Sequence, residues 1–217
     1  MHATLDATGV RAVVEAIGID ATSAQIDALA AFGQLLLRWN RTYNLTAHRD
    51  PEQVLTHHLA DCLAAVPSLQ RHLVATGLRD ATLLDVGSGG GLPGVVWALM
   101  LSALRVHCVD AVGKKAAFLR QAAGELQLSN LLALHARVEQ LGGRYDLVVS
   151  RAFATLADFV ALTRDRVATA GVWVAMKGHH PVDEIAALPV DVDVFHVEPL
   201  SVPGLRAERC LVWMRPR

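Results

Sequence analysis

The chain has 217 residues, of which 53% are hydrophobic and 19% charged, and a formal net charge of −1. That composition is globular and excludes disorder, and the length suits one well-buried domain with a small appendage. The near-neutral charge does not announce a nucleic-acid binder, so an RNA substrate would need a local basic face.

The amino-terminal part reads as helical. MHATLDATGV lacks the basic segment and apolar core of a secretory signal, and no apolar run reaches the roughly 18 residues of a membrane span. Thr22 or Ser23 caps a helix whose Ile26, Leu29, Ala30, Phe32, Leu36 and Leu37 recur at mixed spacings of three and four. Asp50-Pro51-Glu52 is a second start signal, and Pro67 is expected to end that helix. WNRTYNLTAHRDP lies between the two, too aromatic and amide-rich for a plain linker. Cys62, Cys108 and Cys210 are odd in number and far apart, which offers neither a disulfide framework nor a zinc site and suits a reducing cytoplasm.

From residue 81 short apolar runs alternate with helical segments: ATLLDV (81–86), RVHCVD (105–110), LLALHA (131–136), YDLVVS (145–150) and GVWVAMK (171–177). Runs without polar alternation fit a parallel sheet covered on both faces. VDVFHVE (192–198) and RCLVWMR (209–215) suggest a closing hairpin. The fold class is therefore α/β, a Rossmann-like and mostly parallel sheet with helices on both faces. Residues 1–80 are expected to form a helical extension on the substrate side and 81–217 the binding core, as one structural unit.

DVGSGGGLPG (85–94) follows the first strand and allows two registers. Gly89, Gly91 and Gly94 match a dinucleotide fingerprint, whereas Asp85, Gly87 and Gly89 match D-x-G-x-G, the opening of many S-adenosylmethionine (SAM) sites. The dinucleotide register starts late, because four residues from Asp85 to Ser88 precede its first glycine, where a pyrophosphate site needs a glycine directly after the strand. SAM carries no phosphate, and an acidic strand end suits its cationic groups. Asp110 ends the second strand, where an acid accepts from both ribose hydroxyls in either register. The residues favour SAM and leave a nicotinamide or a structural role as alternatives.

WNRTYNLTAHRDP, DVGSGGGLPG, VDAVGKKAAFLRQAAGELQL, ARVEQL, YDLVVSRAFATL and MKG stand in the order seen in one family. From about residue 32 to the carboxyl terminus the chain resembles the bacterial ribosomal RNA small-subunit methyltransferase G family, also called glucose-inhibited division protein B. The resemblance implies SAM-dependent methylation of N7 of a guanine in 16S ribosomal RNA, on the RNA or the assembling small subunit. It places cofactor contacts on Gly87, Leu92, Val138, Glu139 and Arg151, with Asp110 as the ribose acid; Gly89 of the same loop is a further cofactor candidate. His57, Cys62 and Cys210 depart from the family pattern, which often has a basic residue, serine and histidine there.

Guanine N7 needs no deprotonation, so no catalytic acid–base pair and no metal are expected. Arg151 reads as orienting the cofactor, with an ion pair between the helical extension and the core as the bland alternative. Asn44 and Lys177 are candidate substrate contacts, and Arg38, Arg41, Arg49, Lys114, Lys115 and Arg120 candidate phosphate contacts. His58 reads as a satisfied buried histidine. A monomer is the default expectation. A small-molecule or protein methyltransferase and a non-catalytic nucleotide-binding regulator are the rival functions.

Overall fold

The strand order β3-β2-β1-β4-β5-β7-β6 organises the molecule, described over residues 4–217 by a computed structural model. The strands are β1 (Thr82–Val86), β2 (Arg105–Asp110), β3 (Leu131–His135), β4 (Tyr145–Arg151), β5 (Val167–Lys177), β6 (Val192–Pro199) and β7 (Cys210–Pro216). β1 to β5 pair in parallel, and β7 runs antiparallel to both β5 and β6. The chain leaves β1 in opposite lateral directions, toward β2 and, later, toward β4. Ligand clefts open at such a reversal, beyond the carboxyl ends of the strands.

Both faces of the sheet are covered, as the unalternating apolar runs require. Leu83 and Val149 point into one cluster, with Phe32, Leu59, Trp97 and Phe118. Leu84 and Val148 point into the other, with Phe159 and Trp173. The first cluster receives α1 (Ala7–Ile17), α2 (Ser23–Tyr43), α5 (Val66–Thr76), α6 (Gly94–Met100) and α7 (Gly113–Glu125), and the second receives α8 (Leu156–Thr163). The helices before residue 81 thus share a core with the sheet.

Local signals set the helix starts. Thr22 accepts from the Gln25 amide while the Gln25 side chain accepts from the Thr22 amide, a complete capping box. Asp50 caps α3 (Pro51–Val54), which runs on through a π-helical stretch (Leu55–Ala60) into α4 (Asp61–Ala64). The expectation that Pro67 ends this helix is corrected. Pro67 lies in the first turn of α5, where its missing N–H costs no hydrogen bond, and Gly77 terminates that helix with φ +68°. Two strand limits shift as well: β5 starts at Val167 and is irregular against β4, and Arg151 is the last residue of β4 rather than the first after it.

Candidate cofactor and acceptor cleft

The segment after β1 folds as a cradle whose amides face its neighbours. The Gly87 and Ser88 amides donate to the Val109 carbonyl at 3.0 and 3.1 Å, which ties the loop to the end of β2. Gly87 has φ +67°, and a Cβ there would lie 2.4 Å from Cδ2 of Phe153, so glycine is required twice over. Gly94 opens α6 so tightly against β1 and β2 that a Cβ would lie 2.4 Å from Cys108 Sγ and 2.7 Å from Asp85 Oδ2.

Asp85 has no solvent exposure. Its Oδ2 accepts from the Gly94 amide at 2.9 Å, and Oδ1 has no hydrogen-bond partner among the described residues. Burial pushes its carboxyl pKa up to about 6. Asp110, at the end of β2, accepts from the Gly89 amide at 3.0 Å and the Val112 amide at 2.8 Å, with Lys115 Nζ at 3.7 Å. Each Asp110 oxygen keeps acceptor capacity for a further donor.

Three cavities meet at Ala152. The first, about 330 Å³, is lined by Gly87, Asp110, Lys115, Val138, Glu139 and Phe153 among others. The second, about 360 Å³, is lined by His48, His57, Gly87, Gly89, Leu92 and Arg151, with Lys115 and Arg209 as its other cations and no carboxylate. The third, about 250 Å³, lies between the ends of β4 and β5, with Arg151, Phe153, Lys177 and Arg209 on its wall. Gly87, Lys115 and Ala152 border both larger cavities. The candidate contacts thus fall into two groups around Gly87: Asp110, Val138 and Glu139 on one side, and Gly89, Leu92 and Arg151 on the other.

Arg151 lines the second and third cavities but is also tied to the amino-terminal helices. Its Nη1 donates to Asp61 Oδ2 at 2.9 Å and to the His57 carbonyl at 3.1 Å. Asp61 is 3% exposed and accepts from Arg209 Nε on its other oxygen, also at 2.9 Å. One buried carboxylate therefore holds two guanidinium groups, from β4 and from the residue before β7. His58 is buried: Nδ1 faces Arg151 Nη2 at 3.2 Å and Nε2 faces the Thr46 hydroxyl. Burial, helped by Arg151, lowers its pKa to about 3, so the ring is neutral. An arginine only donates and a carbonyl only accepts, so Nδ1, which also lies 2.9 Å from the His57 carbonyl, serves one of these two partners and not both.

The segment between α2 and α3 is ordered by one buried amide. Asn40 donates to the His48 carbonyl at 2.8 Å and accepts from the Thr46 amide at 2.9 Å. This brings His48 over His57, with ring centroids 4.5 Å apart. Asn44 instead caps α2 in the left-handed region at φ 49° and accepts from Arg49. Lys177 Nζ is bound by Glu184 at 2.7 Å and by the Ala154 carbonyl at 3.1 Å, so it stands at the third cavity already paired. Arg38 pairs with Glu125 at 3.1 Å, whereas Arg41, Lys114 and Arg120 stand exposed. Of the family-divergent positions, His57 faces the second cavity, and Cys62 and Cys210 are buried. Phe153 and Arg209 escaped sequence reasoning because only the tertiary fold brings them to the cleft.

Comparison with known proteins agrees with this geometry. The family model described as rRNA small subunit methyltransferase G matches residues 25–212. The ribosomal RNA small subunit methyltransferase G of Acidovorax sp. (strain JS42) is 61% identical over 93% of this chain and 91% of its own length. That of Paracidovorax citrulli is 57% identical over 95% of this chain and 88% of its own. Among solved structures, the ribosomal protein L11 methylase of Lactobacillus delbrueckii subsp. bulgaricus superposes with a TM-score of 0.56 at 13% identity, over 71% of this chain and 77% of that one. A SAM-dependent methyltransferase from Aquifex aeolicus gives 0.52 at 15% identity, over 76% and 93%. These likenesses confirm the methyltransferase fold and with it the α/β expectation. The extent and identity of the sequence matches show that the chain belongs to the rRNA small subunit methyltransferase G family.

Proposed function

We propose that this protein transfers a methyl group from SAM to N7 of a guanine in small-subunit ribosomal RNA. The observation that carries the proposal is the pair of cavities joined at Gly87, one bounded by Asp110 and the other by cations without a carboxylate. SAM, when bound, supplies a methyl group on a sulfonium. The residues present fit it: Gly87 borders both cavities with bare backbone, and Asp110 retains acceptor capacity for a ribose. Val138 and Glu139 would border the adenine, and Gly89, Leu92 and Arg151 the amino-acid end.

The chain's own contribution is placement and exclusion of water. N7 of guanine carries a lone pair and no proton, so the acceptor needs alignment rather than a base. His58 supports that view, because it is neutral and both its nitrogens face partners. Arg151 and Arg209 together carry one positive charge more than Asp61 neutralises, which favours an anionic acceptor over a neutral small molecule. An arginine beside the base would donate to O6 while N7 reacts.

Thermal melting tests the cofactor half of this reading. S-adenosylhomocysteine is expected to raise the Tm and NAD to leave it unchanged; the reverse pattern overturns it. Label transfer from methyl-labelled SAM into 16S rRNA, recovered as 7-methylguanine after digestion, tests the acceptor half.

A further inference from the structure

Phe153 stands beside Gly87, the residue at which the two larger cavities join. Its ring lies against Gly87, within 2.4 Å of where a Cβ would be, and Gly87 borders both cavities. The proposed contacts fall on the two sides of Gly87, so one molecule touching both sets passes over this glycine, beside the ring. Phe153 is 37% exposed, large for an aromatic side chain beside a core, and its one ring neighbour among the described residues is Phe159, edge-on at 6.5 Å. The residue before it, Ala152, has φ 51°, a conformation non-glycine residues adopt only when their surroundings enforce it. The ring also borders the third cavity, between Arg151 and Lys177.

We infer that Phe153 is the residue that couples cofactor occupancy to recognition of the acceptor base. With the cleft free, the ring rests on Gly87 and stands between the first cavity and the third. Cofactor binding displaces it toward the third cavity, where it offers its face to a purine entering beside Arg151 and Arg209. Stacking on an aromatic ring is how proteins commonly hold an unpaired base. The order of binding follows: the cofactor enters first and creates the stacking surface for the acceptor. This inference rests on the cleft being a SAM site with an RNA acceptor.

The experiment measures S-adenosylhomocysteine affinity by calorimetry, and 16S rRNA transcript affinity by filter binding with and without saturating S-adenosylhomocysteine. The wild-type protein is expected to bind the transcript more tightly when S-adenosylhomocysteine is present. Phe153→Ala is expected to bind S-adenosylhomocysteine about three- to tenfold more tightly, because no ring competes for the cradle. The same variant is expected to bind the transcript roughly five- to one-hundredfold more weakly in the presence of S-adenosylhomocysteine, and to lose the dependence on it. Phe153→Leu keeps an apolar side chain over Gly87 without a π face, so cofactor affinity should stay near wild type while transcript affinity falls. Unchanged or weaker cofactor binding by Phe153→Ala, or a preserved dependence of RNA binding on the cofactor, overturns the coupling alone. A wild-type protein that fails to bind S-adenosylhomocysteine overturns the reading of the cleft and this inference with it.

Discussion

Asp85 and His58 titrate in opposite senses, Asp85 buried within β1 and His58 on the wall of the second cavity. The buried Asp85 carboxyl has a folded pKa of about 6, above its ordinary 3.8. Between those values the native state holds a proton that the unfolded chain has lost, so its contribution to stability grows as pH falls from 6 toward 4 and is lost above 6. His58 has a folded pKa of about 3, below its ordinary 6.5. There the unfolded chain gains a proton the native state refuses, so stability falls as pH drops below 6.5. Asp85→Asn is therefore expected to stabilise the ligand-free protein at pH 7.5, with the gain shrinking toward pH 4, as measured by urea melts across pH. A gain that is constant with pH would contradict the assignment to ionisation. Asp61 is the other decisive residue at this scale. Asp61→Ala leaves two guanidinium groups facing each other without their shared carboxylate. A loss of about 3–5 kcal/mol is expected in chemical denaturation, as for other broken buried pairs.

Among the elements, the connection from α2 to α3 and the π-helical stretch together build one wall of the second cavity. Asn40, 1% exposed, holds the connection through two hydrogen bonds, and the π-helical stretch carries His57 and His58 toward it. Asn40→Ala is expected to cost about 2 kcal/mol, on the order of two net hydrogen bonds, and to speed hydrogen exchange in residues 44–50. Exchange unchanged in that segment would show that the loop is held by other contacts. The sequence made the starts of these helices readable, since Thr22 and Asp50 cap through neighbours three residues away or fewer. It made the glycine loop readable for the same reason, because strain and close approach are encoded within DVGSGGGLPG. Pro67 was misread because proline ends one helix and begins another with equal ease, and only packing decides which. Arg209 was invisible because its partner Asp61 lies 148 residues away. Phe153 was missed because its contact with Gly87 depends on where the end of β4 meets the loop after β1.

Over the whole molecule, the sheet order explains why these residues meet at all. β1 and β4 are neighbours at the reversal of strand order, so Gly87 and Ala152, which follow them, line one cleft. The alternation of buried strands and helices made this layout legible from residue 81 onward, while the placement of the helical segment on the same core as the sheet needed the tertiary structure. With a net charge of only −1, affinity for RNA must come from the local cations at the cleft rather than from the overall field. Transcript affinity is expected to fall with salt on a log–log slope of a few units, set by the phosphates those cations meet. A slope near zero would remove them from the interface. The central claim, methylation of guanine N7 in small-subunit rRNA, is tested most directly by mass spectrometry of 16S rRNA from cells lacking this chain. The account predicts that one 7-methylguanine is missing and returns when the wild-type chain is restored; a full complement of 7-methylguanine in the deletion strain would contradict it.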